Sequence, residues 1–99
     1  MPRRSKKKID VIYSALGRQK AWGIADIGDN TIYIDIKLKG VKEMEVLIHE
    51  SLHLVNPFME ENDIIKWSIL ITNTLWDLGF RKVDNNEDQR FQDGTKYSK

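Results

Sequence analysis

Residues 49–53 read His-Glu-Ser-Leu-His, and these are the only two histidines in the chain. On a helix, residues four apart share a face and lie roughly 6 Å apart along the axis. Two imidazoles so placed can converge on one tetrahedral zinc ion. Glu50 follows the first histidine and can lean toward an open coordination position. There it can take a proton from a zinc-bound water as general base. This is the chemistry of a metal-dependent peptide or amide hydrolase. A helical histidine pair that happens to neighbour a glutamate is the bland alternative.

A catalytic zinc commonly has three protein ligands. The chain has no cysteine and no further histidine, so the third must be an acid. Glu60, Glu61 and Asp63 are the candidates, each also readable as a surface acid favoured by a helix N-terminus. Glu61 is preferred, because it precedes Ile64 by three residues and Ile65 by four, above the expected buried stripe.

The elements around these residues follow from pattern. Val41 to about Val55 reads as a helix, with Met44, Leu47, Ile48, Leu52 and Val55 as its core stripe. Asn56-Pro57 stops it. A second helix runs from about Glu60 to Leu78. Its stripe is Ile64, Trp67, Ile71, Leu75 and Leu78, with Gly79 as C-cap. Trp67 and Trp76 both read as core. The short link through Asn56–Met59 folds this helix back on the first and brings its first turn to the histidines.

Upstream, Ile9–Tyr13 and Ala21–Ile27 read as strands, and Gly28-Asp29-Asn30 as a turn. Thr31–Leu38 is the clearest strand, with Ile32, Ile34, Ile36 and Leu38 alternating with polar or aromatic residues. The two runs flanking the turn should pair as an antiparallel hairpin. The expected fold class is therefore α+β: a small antiparallel sheet of two or three strands followed by two packed helices. Gly23, beside Trp22, would allow another backbone to approach closely.

Ninety-nine residues make one small domain, and 31% charged with 40% hydrophobic residues suits a globular chain. The domain spans residues 9–82. Residues 1–8 read as a flexible basic arm carrying Arg3, Arg4, Lys6, Lys7 and Lys8. Residues 83–99 read as a polar tail. A net charge of +1 argues against polyanion binding by the body, leaving the basic arm as the one place for nucleic-acid contact. No run approaches the roughly 20 apolar residues of a membrane span, and the basic start is not followed by an apolar stretch of signal-peptide length. Absence of cysteine fits a reducing compartment, so the expected location is the cytoplasm.

The pattern His49-Glu50-Ser51-Leu52-His53, Pro57, Glu61 and then Leu75-Trp76-Asp77-Leu78-Gly79-Phe80 resembles the small His-Glu-x-x-His zinc proteins of phages and bacteria. Those are similar to minimal gluzincins, and the likeness covers about residues 41–82. It implies a zinc metallopeptidase with His49, His53 and Glu61 as ligands, Glu50 as base and a peptide or protein as substrate. It also implies that the strand bordering the cleft, Thr31–Leu38, pairs with an extended peptide. The longer metzincin pattern, with its glycine and third histidine, is absent. Tyr13, Tyr33, Arg81 and Tyr97 are open candidates for stabilising an oxyanion. The chain is too short for the second lobe of larger peptidases, and a protein partner is one way to supply it. The alternatives are an inactive zinc-stabilised interaction module and a small protein that contacts nucleic acid.

Overall fold

The computed structural model describes residues 8–83. Three strands, β1 (Asp10–Ser14), β2 (Gly23–Asp26) and β3 (Thr31–Asp35), precede two helices, α1 (Gly40–Val55) and α2 (Glu61–Asp77). The α+β class and the order of sheet and helices are as expected. The polar arm, apart from Lys8, and the tail from residue 84 lie outside the described residues.

The sheet order is β1-β3-β2. β2 and β3 form the expected antiparallel hairpin. Its turn is a 3₁₀ segment, Ile27–Asp29, closed by the Asp26 carboxylate accepting from the Asp29 amide at 3.2 Å. Asn30 takes the left-handed conformation (φ 54°) that the turn requires. The expectation of a wholly antiparallel sheet is corrected, because β1 runs parallel to β3. The hairpin occupies one side of β3, and β1 takes the other side. Apolar alternation carries no strand direction, so the sequence could not supply it.

β3 also ends earlier than its alternation suggests. The Asp35 carboxylate accepts from the amides of Lys37 at 2.8 Å and Leu16 at 3.2 Å, and the chain turns there. Ile36 is consequently half exposed, while Leu38 re-enters the core.

Ile32 and Ile34 are fully buried and meet Val46 and Leu54 of α1, with Leu38 closing the cluster. α1 thus lies on one face of the sheet. Its fully buried positions are Glu43, Val46 and Leu54; of the expected stripe, Met44, Leu47, Ile48 and Leu52 are half buried and Val55 is exposed. The difference arises because α1 has two neighbours, the sheet and α2, at different angles around its axis.

α2 packs against α1 and makes no comparable contact with the sheet. Its inward residues are Ile64, Ser68 and Thr72. Trp67 and Leu78, expected in the core, are 42% and 69% exposed. Small Ser68 and Thr72 let the helices approach, which rotates the larger side chains outward. The expected C-cap is present: Gly79 has φ +95°, its amide bonds to the Trp76 carbonyl, and that of Phe80 to the Leu75 carbonyl. These are the two bonds of a Schellman motif.

Candidate metal centre

α1 and the first turn of α2 bring three donors together. His49 and His53 are separated by one turn of α1, with ring centroids 5.1 Å apart and planes inclined at 62°. Both rings are half buried. α1 ends at Asn56, whose side chain accepts from the Phe58 amide, and the Met59 amide bonds back to the Asn56 carbonyl. This tight link reverses the chain at Pro57 and starts α2 beside the end of α1.

Glu61 is the first residue of α2. Its two carboxylate oxygens lie 3.2 Å from Nε2 of His49 and 3.2 Å from Nε2 of His53. One oxygen faces each ring. The ligand atoms of the three residues all lie within 4.8 Å of one another, so the group could hold a metal ion. Zinc ligands about 2.0–2.1 Å from the ion and tetrahedrally disposed are roughly 3.3 Å from each other. Each His–Glu separation is close to that edge length, with a different carboxylate oxygen on each ring. Two nitrogens and one carboxylate are a donor set that suits zinc and admits other divalent ions.

Of the three acids at the start of the second helix, the structure brings only Glu61 to the histidines. Glu60 lies just before α2, and Asp63 is an exposed acid of the first turn. Both suit the helix dipole there.

Glu50 faces the sheet. A Cβ added to Gly23 would stand 2.9 Å from its Cγ and 3.4 Å from its Oε2, and 2.7 Å from Cγ1 of Val46. Gly23 is therefore what lets α1 settle onto β2 with the Glu50 side chain between them. The close approach expected at this glycine is made by the chain's own helix. Burial pushes the Glu50 carboxyl above the usual carboxylate range. The imidazoles of His49 and His53 pull it down, and the Glu61 carboxylate adds an upward push. A half-buried carboxyl with raised proton affinity beside a ligand set is suited to accepting a proton.

The remaining candidates fall elsewhere. Tyr13 donates its hydroxyl to the Glu43 carboxylate at 2.6 Å. Arg81 stacks on the Trp76 ring at 3.5 Å. Both line a cavity bounded by Glu43, Met44 and Leu47, on another side of α1 from the histidines. Tyr33 is in register with Ile12 and Ile24, one position off the residues that face α1, so it points to the other face of the sheet. Tyr97 lies outside the described residues. None of the three described candidates is brought to the histidines.

β3 is the central strand, with β1 on one side and β2 on the other. It has no free edge for an extended peptide, which corrects that expectation. Among the described residues β2 has an open edge, and β2 is also the strand against Glu50.

The chain matches no protein-family model, and no curated protein or solved structure shows significant similarity to it. Among the described residues no helix is long and apolar enough to cross a membrane.

Proposed function

We propose that this chain is a zinc-dependent hydrolase of peptide or protein amide bonds, working in the cytoplasm. The observation that carries the reading is the meeting of Glu61 with both imidazoles: one short turn presents its two carboxylate oxygens to two ring nitrogens, each at 3.2 Å.

A zinc ion held by His49, His53 and Glu61 would supply a Lewis acid and make a coordinated water acidic near neutral pH. The chain's own residues supply the rest. His49 and His53 are fixed by one rigid helix, so their separation does not drift. Glu61 enters from a second helix and closes the ligand set. Glu50 holds a carboxylate beside the site and receives the proton on its oxygen, then returns it to the leaving amine. Its contact with Gly23 keeps the side chain from swinging into solvent. The free edge of β2 offers main-chain hydrogen bonds to an extended peptide, the usual way a strand edge recognises one. This replaces β3 as the substrate-pairing strand.

The test compares the wild type with Glu50→Gln, both loaded with zinc and offered a mixed peptide library read by mass spectrometry. The expected result is cleavage by the wild type, with about one zinc per chain in both proteins. Loss of the base should slow cleavage by about 10² to 10⁴-fold. Equal cleavage by both would remove Glu50 from the reaction. Zinc retention without cleavage by the wild type would make the centre a structural one.

A further inference from the structure

A second concave site lies away from the three metal-binding candidates. It is a cavity of about 660 Å³ between β1, the start of α1 and the segment after α2. The α1 residues lining it, Glu43, Met44 and Leu47, lie roughly 150° around the helix from His49 and His53. None of His49, His53 and Glu61 lines it. Its volume is that of a small-molecule site.

The lining has two parts. Met44, Leu47, Trp76 and Phe80 give an apolar and aromatic wall. Lys39, Arg81 and Lys82 place three cations at the same cavity. The one acid among the described lining residues, Glu43, is 8% exposed and already bonded, with Oε2 accepting from the Tyr13 hydroxyl at 2.6 Å and from Lys82 Nζ at 3.2 Å. Lys39 has no acidic partner among the described residues. Arg81 is held flat on Trp76, with Nη1 donating to the carbonyls of Trp76 and Phe80. A guanidinium fixed in this way gives up less conformational freedom when it binds an anion. The cavity therefore has a surplus of positive charge beside an aromatic wall.

We infer that this cavity binds a small ligand with a flat apolar body and one anionic end, a carboxylate or phosphate. The ring lies against Trp76, Phe80 and Met44, and the anion meets Arg81 and Lys39. The assignment is independent of the metal centre.

Phenyl phosphate is the probe, titrated into the full chain while amide and indole signals are followed by NMR. Inorganic phosphate and phenol serve as the two halves of the probe. Saturable shifts at the Gly40 amide and the Trp76 indole are expected, and each half should bind at least about tenfold more weakly than the whole. Arg81→Gln and Lys39→Gln should each weaken binding by about tenfold, and Lys66→Gln should not. Lys39 is exposed, so its variant tests the charge even if Arg81→Gln fails to fold. His49→Ala should bind the probe as the wild type does, which separates this site from the proposed hydrolase. No saturation up to about 10 mM would overturn the assignment. So would equal binding of phosphate or phenol alone. Concentration-dependent shifts at the same residues without probe would assign the cavity to a second copy instead, and would also overturn it.

Discussion

Glu61 carries the sharpest consequence at the scale of single residues. It alone of three neighbouring acids reaches both imidazoles. Glu61→Ala should lower zinc affinity by at least about a hundredfold in a chelator competition, and Glu60→Ala should leave it unchanged. Equal losses would mean that the acids act only through their charge. The histidines and Glu50 were legible because a five-residue pattern on one helix fixes its own local geometry. Glu61 was legible from its spacing to Ile64. Tyr13 was not, because its place depends on β1 lying parallel to β3, which brings its hydroxyl to Glu43 thirty positions away. Burial, then the Glu43 carboxylate, raises the Tyr13 phenol above its ordinary value. Burial lowers Lys82, but its bonds to Glu43 and Tyr13 outweigh that and leave it raised. A raised folded value means stability that is present below the unfolded value and lost as pH rises through the folded one. Both groups therefore weaken the fold above about pH 10. Urea midpoints taken from pH 8 to 11 should fall more steeply for the wild type than for Tyr13→Phe; parallel curves would show the phenol to be uncoupled from folding.

Among the elements, the contact between β2 and α1 is the most exacting. Gly23 leaves no space for a methyl group against Val46 and Glu50. Neither neighbour retreats freely, since Val46 is buried in the core and Glu50 is confined on the same helix. Gly23→Ala should cost about 1 to 3 kcal/mol in urea unfolding, as overpacking does elsewhere. On the proposed hydrolase reading it should also slow cleavage more than it lowers zinc content, because the methyl meets Glu50 and not His49, His53 or Glu61. Unchanged stability would show that α1 shifts at no cost. The sequence marked this glycine as a point of close approach but could not say which backbone arrives. The same gap explains Trp67. Helical spacing admitted it to the core stripe, yet Ser68 and Thr72 face α1, because small side chains allow the tighter contact. A pattern of apolar residues gives the arc that can be buried, and the neighbour decides which part of that arc is.

For the whole molecule, the layers are sheet, α1 and α2 in that order, and only α1 touches both others extensively. The order was readable from the hairpin, the helix lengths and the Pro57 stop. The unequal dependence of the layers was not, because it rests on which helix meets the sheet. The candidate metal-binding group joins the end of α1 to the start of α2, where the outer layer begins. An ion bound there stabilises the folded chain by mass action, and the effect is concentrated where its ligands are tied together. α2 also exposes Ile65, Trp67, Ile69 and Leu70, so a large part of its apolar surface does nothing to hold it. Chelation should therefore loosen the molecule unevenly. Hydrogen exchange in α2 and the last turn of α1 should quicken by about tenfold or more, while β3 and the centre of α1 change little. Glu61→Ala should reproduce that pattern with zinc present. Uniform acceleration would mean that the ion stabilises all three layers as one unit, and unchanged exchange would mean that helix packing alone holds α2.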